Sequence, residues 1–297
     1  MSLSVVRLWR IPMRKLRLFL WAAAVLAAAS APSCSKRNAG TLVFVGQGDP
    51  DANAAARSCL VVVTHGWIEG GAGDWAQEIA LAVQKRVDAN VWLCGYFDWS
   101  KGSQTVNPTD AAKYARDIAG GALAEQILRR GSHWRHIHLL GHSCGAWAVS
   151  EAAKILAQKT NADIHLTFFD AYIPPHWQEG ALGDVNTAGN AVCWAEQYYT
   201  RDLTLAWTQE NLSHAHNVDI TNIDSVLKDH NFPWQWYLAT VAGEYVGNAL
   251  VHKGKPVTCA DGIEYGFARS LEAGGAQAWR QSLNLRKGNE AARVRKQ

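Results

Sequence analysis

The sequence predicts a domain of the α/β class, in which a mostly parallel central sheet carries helices on both faces. Residues 59–64 form a continuous β-branched apolar run, which is typical of a strand buried on both faces of a parallel sheet. Further predicted strands alternate with predicted helices, which is typical of successive β-α-β units. The chain has 297 residues, 48% hydrophobic and 19% charged, enough for one large core. Residues 35–285 are therefore predicted to form a single domain.

The first predicted helix follows the strand at residues 59–64. Trp75, Ile79, Val83 and Val87 are spaced four apart, so residues 74–89 present one apolar helical face. The other predicted strands cover residues 91–97, 136–140, 164–169, 192–199 and 214–220, and the other predicted helices cover residues 109–130, 145–158 and 233–245.

The N-terminal residues 1–34 have the pattern of an export signal. Basic residues at positions 14, 15 and 17 precede an apolar run at 18–29, which is short for a membrane span and typical of a secretory signal peptide. Two processing routes stay open: cleavage near Ala27–Ala29 releases the protein, whereas lipidation of Cys34 attaches it to a membrane as in a bacterial lipoprotein. The expected location is periplasmic, secreted or anchored to the outer membrane.

The charge of the chain gives no reason to expect a nucleic-acid partner. The net charge is only +3, and basic residues are concentrated at the two ends, including a predicted flexible tail at residues 286–297.

Export would permit disulfide bonds among the remaining cysteines. Cys59, Cys94, Cys193 and Cys259 allow three pairings. A Cys193–Cys259 bond is favoured because Cys59 and Cys94 fall within predicted strands. The alternative is that all four are buried thiols.

A candidate nucleophile lies in the segment Gly141-His142-Ser143-Cys144-Gly145. The segment directly follows the strand at 136–140 and opens the helix at 145–158. A serine on such a sharp turn projects above the sheet at a helix N-terminus, where developing negative charge is stabilised. Ser143 is therefore the predicted nucleophile. The alternative is a turn of small residues that only packs the helix onto the strand.

The segment His65-Gly66-Trp67 follows the strand at 59–64 and predicts the second half of an oxyanion site. Acyl transfer needs two N–H donors, one from the residue after the nucleophile and one from an early strand-to-helix loop. These donors are the amides of Cys144 and Trp67. Gly66 permits the backbone geometry, and His65 is interpreted as anchoring the loop rather than as the base.

The acid and the base are predicted from chain order, which is serine, acid, histidine in this type of fold. Asp170 ends the strand at 164–169 and so shares a sheet edge with Ser143, whereas Asp98 ends a strand that precedes Ser143. His230 lies just before the helix at 233–245 and is the predicted base. The alternatives are a turn aspartate and a helix-entry histidine.

Two of the histidines that follow Asp170 also allow a different interpretation, which is a metal site. His214 and His216 alternate in a predicted strand and would face one side, as a ligand pair does. A third ligand at suitable spacing is lacking, so neither a metal nor a cofactor is predicted.

At these residues the sequence resembles the pancreatic-lipase-like branch of the α/β-hydrolases. The motifs at 65–67, 98–102 and 141–145 and Asp170 follow the order of that family, over about residues 58–175. The resemblance implies an α/β-hydrolase fold, with Ser143 as nucleophile, Asp170 as acid, His230 as base, and amides of Trp67 and Cys144 in the oxyanion hole. Cys144 replaces the usual leucine, the segment from Asp170 to His230 is short for a lid, and no C-terminal lipid-binding β-sandwich is expected.

The function expected from these residues is cleavage of a small-molecule or lipid ester through an acyl-enzyme. The same triad serves amidases, peptidases and thioesterases, so these stay open as alternatives. A catalytically inactive hydrolase-fold protein that only binds its ligand is the alternative from another class.

Overall fold

The computed structural model describes residues 39–46, 57–67, 74–178, 181–187, 191–201, 206–221, 230–242, 257–258, 264–274 and 292–293. The predicted signal sequence with Cys34, the cysteine at position 259, and most of the predicted tail lie outside these residues. Among the helices of the described part, none combines the length and the apolar character that a membrane crossing requires.

An eight-stranded sheet forms the centre of the fold. Its spatial order is β1-β3-β2-β4-β5-β6-β7-β10, and every neighbouring pair is parallel except the antiparallel pair of β1 and β3. The prediction of a mostly parallel sheet is therefore confirmed. The strands of the sheet are β1 (Thr41–Phe44), β2 (Cys59–Thr64), β3 (Trp92–Asp98), β4 (His136–His142), β5 (Asp163–Phe169), β6 (Cys193–Tyr199), β7 (His216–Asp219) and β10 (Ala292–Arg293), while β8 (Val257–Thr258) pairs separately with β9 (Glu264–Tyr265).

Helices cover both faces of the sheet, as predicted. One core contains α3 (Pro108–Tyr114), α4 (Gly120–Arg129) and α5 (Gly145–Lys159) together with Leu60 and Val62. The other core contains α1 (Asp74–Gln84) and α6 (Phe232–Ala242) together with Val61 and Val63. Consecutive residues of β2 thus point to opposite cores, which explains its unbroken apolar run. A short helix, α2 (Ser100–Ser103), lies between α1 and α3 along the chain.

The edge strand β1 was not predicted from the sequence. It has only four residues, and its burial is partial, so it lacks the apolar run of a central strand. Its position depends on Gly95 of β3, because a Cβ there would approach the Val43 carbonyl oxygen to 2.6 Å. The backbones of the two strands therefore approach each other closely.

Two predicted helices differ from the structure in their extent. α1 ends at Gln84, although Val87 still packs against the core, so the predicted extension to residue 89 is a turn. The predicted helix at 109–130 is divided by a π-helical turn at Ala115–Ala119, which joins α3 to α4.

Buried polar side chains form a layer on one face of β4, β5 and β6. His136, His138, His165 and Thr167 alternate with apolar residues along β4 and β5, and Glu196 is paired with Thr167 from β6. All five side chains are buried. Burial lowers the pKa of His136 to about 4 and that of His165 well below its ordinary value, because a charged imidazole loses its hydration there. These two side chains are therefore uncharged at neutral pH.

Candidate active site

Ser143 lies on a strained turn between β4 and α5. Its φ is 52°, a conformation that L-residues other than glycine adopt rarely. The Ser143 amide donates to the Phe169 carbonyl oxygen at 2.9 Å, and the Ser143 carbonyl accepts from the Ala146 amide at 3.1 Å. These bonds fix the turn between the end of β5 and the first turn of α5.

The glycines around Ser143 permit two loops to meet. A Cβ on Gly66 would lie 2.8 Å from the Ser143 Cβ, and a Cβ on Gly145 would overlap the His65 carbonyl oxygen. The segment after β2 and the turn after β4 are therefore packed backbone to backbone. This contact explains why glycine occupies both loops.

Asp170 follows β5 and also has an unusual backbone, with a φ of 41°. Its buried carboxylate accepts from His230 Nδ1 at 3.1 Å and from the Thr200 amide at 2.7 Å. Burial raises the pKa of Asp170, and the hydrogen bond from His230 opposes that rise. Because Nδ1–H of His230 is directed at Asp170, Nε2 is the His230 atom suited to accept a proton.

His142, inside the predicted motif, holds the backbone of His230. Its Nε2 donates to the His230 carbonyl oxygen at 3.0 Å, and the two ring centroids are 4.5 Å apart. The rings of Trp75 and His142 are perpendicular, with centroids 5.7 Å apart, and Trp75 stacks on Trp234 of α6 at 4.7 Å. No role for His142 could be predicted from the sequence, because this contact joins residues 88 positions apart.

His65 is fully buried and binds the loop around it. Its Nδ1 lies 2.9 Å from the Gly66 carbonyl oxygen, and its Nε2 accepts from the Trp99 amide at 3.1 Å. Asp98 is beside it, with the carboxylate 3.6 Å from His65 Nε2 and hydrogen-bonded to Ser100. His65 thus has the contacts of an anchoring residue, and its role stays a prediction.

The predicted oxyanion donors are the amides of Cys144 and Trp67. These residues follow Ser143 and Gly66, which meet where the two loops pack together. Cys144 directly follows Ser143, and its buried thiol donates to the Pro108 carbonyl oxygen at 3.3 Å. Trp67 directly follows Gly66, and its indole Nε1 donates to the Thr105 carbonyl oxygen at 3.0 Å. Their assignment as donors stays a prediction.

The structure therefore brings the predicted residues to one edge of the sheet. Ser143 follows the C-terminal end of β4, Asp170 follows that of the neighbouring β5, and His230 bonds to Asp170 just before α6. Ser143 and Asp170 are two of the three described non-glycine residues with positive φ. Backbone strain of this kind concentrates at functional sites, where the surrounding structure maintains it.

The alternative interpretation, in which His214 and His216 face one side of a strand as a ligand pair, does not agree with the described structure. β7 begins at His216, so His214 is an exposed turn residue outside the strand, and the alternation expected over 214–220 is wrong at its start. His216 is buried, with its Nε2 3.0 Å from the Tyr265 hydroxyl and its ring stacked on Tyr265. Its nitrogen is thus engaged with an aromatic side chain.

The predicted disulfide between Cys193 and Cys259 stays a prediction. Cys193 is buried at the start of β6, and its predicted partner lies outside the described residues. Cys59 and Cys94 are buried free thiols in β2 and β3, and burial raises the pKa of both.

The chain is similar in sequence to lipases. The Lipase family model matches residues 48–171. Mouse inactive pancreatic lipase-related protein 1 is 33% identical over 94 residues, covering 30% of this chain and 19% of that protein. The chain thus matches about a fifth of the length of this curated relative.

Solved structures similar to the chain include two hydrolases. A predicted CIB-like hydrolase from Thermoplasma acidophilum shares 10% identity at a TM-score of 0.38, over 66% of this chain and 91% of that one. A thermophilic esterase from the planctomycete Thermogutta terrifontis shares 15% identity at a TM-score of 0.34, over 56% and 67%.

The family match covers the segment that carries both loops, the turn at Ser143 and Asp170. The sheet order and the helices on both faces agree with it. The chain has an α/β-hydrolase fold, and its residues 48–171 are similar to lipases.

Proposed function

We propose that the chain is a serine hydrolase that cleaves carboxylic esters through an acyl-enzyme on Ser143. The observation that carries the proposal is the bond between His230 Nδ1 and Asp170, at the sheet edge where Ser143 occupies its strained turn. A nucleophile, a base and a carboxylate that orients the base are the parts that this chemistry needs.

In the first half-reaction, Ser143 Oγ bonds to the ester carbonyl carbon while His230 Nε2 takes the hydroxyl proton. Asp170 holds the imidazole in the tautomer with Nε2 unprotonated and stabilises the imidazolium that forms. The carbonyl oxygen becomes an oxyanion, which accepts hydrogen bonds from the Trp67 and Cys144 amides. Collapse breaks the bond to the alcohol oxygen, and the alcohol leaves with the proton from His230.

In the second half-reaction, water attacks the acyl-enzyme and gives a proton to His230. The tetrahedral intermediate uses the same two amides. It collapses to the free carboxylic acid, and Ser143 Oγ recovers its proton from the imidazolium. The cycle consumes one ester and one water and needs no cofactor.

Apolar side chains near the turn favour an apolar acyl group. The Tyr172 amide donates to the Ser143 carbonyl oxygen at 3.3 Å, which places Tyr172 beside the nucleophile. Trp207, 49% exposed, packs edge-on against Tyr172, with ring centroids 6.5 Å apart. Such a surface accommodates acyl chains better than charged substrates.

Export is part of the proposal, on the basis of residues 1–34 alone. A basic stretch followed by a short apolar run and small residues would direct the chain out of the cytoplasm.

The test is hydrolysis of p-nitrophenyl esters of increasing chain length by the purified protein and by Ser143→Ala. We expect kcat to fall by at least about a thousandfold in Ser143→Ala, because the nucleophile is absent. Ser213→Ala, at an exposed serine, is the matched control and should retain full activity.

Matched thioester and anilide substrates separate the alternatives. A higher kcat/KM for either would replace the esterase proposal with a thioesterase or an amidase on the same residues.

An inactive hydrolase-fold protein is the other alternative, since the mouse relative is named as inactive. A folded protein that hydrolyses none of the substrates would favour a binding protein.

A further inference from the structure

A second cluster of functional side chains lies far from Ser143, in the buried polar layer. His136 begins β4, and Ser143 follows its end, so the two are about 20 Å apart at the rise of a strand. The segment at residues 264–274 contributes Glu272 to the layer, and its side chain is only 1% exposed. None of these residues takes part in the mechanism above.

The geometry of the cluster would allow it to hold a metal ion. One nitrogen each of His136 and His165 and one carboxylate oxygen of Glu272 all lie within 4.8 Å of one another. Ligand atoms around a tetrahedral zinc ion, at bond lengths of about 2.0–2.2 Å, lie about 3.4 Å apart. Small side-chain rotations therefore suffice to bring the three atoms to one ion.

Glu272 supplies the observation that points to a ligand. Its Oε1 accepts a 2.6 Å hydrogen bond from His138 Nδ1, whereas its Oε2 is buried and accepts no hydrogen bond from the described residues. Leaving a carboxylate oxygen buried without a partner is strongly unfavourable. A cation bound to Oε2 would remove that cost.

The surrounding bonds are those that orient metal ligands. His165 Nε2 lies 3.3 Å from Glu196 Oε1, so Nε2–H donates to a carboxylate and the ring can bind an ion through Nδ1. A second hydrogen bond of this kind is usual for metal-bound histidines, since it fixes the ring and raises its basicity. Glu196 is itself held by the Tyr198 hydroxyl at 3.0 Å and by Arg269 Nε at 3.2 Å.

We infer that one divalent transition-metal ion is bound by His136, His165 and Glu272. We assign this ion as Zn²⁺. The ligands are His165 Nδ1, Glu272 Oε2 and one His136 nitrogen, and a water completes the tetrahedron. Two imidazoles and a carboxylate are a donor set typical of zinc.

The ion has a structural role, because the site is buried and distant from Ser143. It ties the segment at 264–274 to β4 and β5. That segment also supports α6, since the Phe267 amide donates to Thr240 Oγ1 at 3.0 Å. Metal binding therefore stabilises the helix that follows His230.

The rival arrangement is a polar network without an ion. His138 with Glu272 and Arg269 with Glu196 would then form two buried ion pairs. This network predicts no effect of Zn²⁺ on stability.

The test starts from full-length protein freed of metal by a chelator and titrated with Zn²⁺. We expect one ion per chain and a rise in Tm of about 5 °C or more at saturation, because the ion binds only the folded state. Glu272→Gln should abolish both effects, and Glu210→Gln, at an exposed acid, should preserve them. Absence of stoichiometric binding, or binding unchanged in Glu272→Gln, would overturn the inference.

Wild-type protein provides a readout that does not depend on a variant that folds. X-ray absorption of the zinc-loaded wild type should show a shell of nitrogen and oxygen with two imidazoles. A shell containing sulfur would place the ion at cysteines and contradict the assignment. Ester hydrolysis is a separate measurement, so this inference and the proposed function can fail independently.

Discussion

At the scale of single residues, the position of His230 depends on two hydrogen bonds from different parts of the chain. Asp170 binds its Nδ1 at 3.1 Å, and His142 donates to its carbonyl oxygen at 3.0 Å. The first bond fixes the orientation of the ring, and the second fixes the backbone that carries the ring. His142 is therefore a positioning residue for the predicted base.

His142→Leu should lower kcat about tenfold and leave KM nearly unchanged. The variant removes one hydrogen bond, with a net worth of about 0.5–1.5 kcal/mol, and the apolar substrate surface is not altered. His142→Gln offers an amide N–H near the position of Nε2 and should recover most of the lost rate.

The measurement is ester turnover of both variants, with Tm recorded alongside. If His142→Leu kept full kcat, or if its loss of rate followed a fall in Tm that His142→Gln shared, the positioning role would be wrong.

At the scale of secondary-structure elements, two adjacent glycines begin α4 in very different surroundings. A Cβ on Gly120 would lie 2.7 Å from the Ala148 carbonyl oxygen and 2.7 Å from the Glu151 Cβ, both in α5. A Cβ on Gly121 would meet nothing within 4 Å. The close packing of α4 on α5 therefore requires the first glycine and not the second.

Gly121→Ala should raise the free energy of unfolding by about 0.5–1 kcal/mol, because alanine has less backbone freedom to lose in a helix. Gly120→Ala should lower it by about 1–3 kcal/mol, because α5 must shift to admit the methyl group. Urea unfolding of the two variants measures both values. A Gly120→Ala variant as stable as the wild type, or more stable, would mean that α4 does not pack on α5 through Gly120.

The sequence predicted which helices and strands form better than it predicted the residues at which they end. β2 is an apolar run and β4 leads directly into the glycine-rich turn at Ser143, so both strands could be recognised from the sequence. The end of α1 could not, because Val87 keeps the helical spacing but lies in a turn. β1 could not be inferred either, since a four-residue, partly buried edge strand has a weak pattern.

At the scale of the whole molecule, the order of residues and strands along the chain was enough to predict that Ser143, Asp170 and His230 lie at one edge of the sheet. Parallel strands end at the same side of a sheet, so residues that follow β4 and β5 must lie near each other. The same argument could not reveal the buried polar layer. His136 and His138 alternate visibly in the sequence, but their partner Glu272 lies 134 residues beyond His138, in a segment with little regular structure.

The most direct test of the central claim is labelling of the purified protein with a fluorophosphonate probe, followed by mass spectrometry of the modified peptide. We predict a covalent label on Ser143, much slower labelling in Asp170→Asn, and little change in Asp98→Asn. Asp98 ends β3 and Asp170 follows β5, and in the described structure Asp170 contacts His230 whereas Asp98 lies beside His65. A label on another serine, or an equal rate in Asp170→Asn and the wild type, would contradict the account.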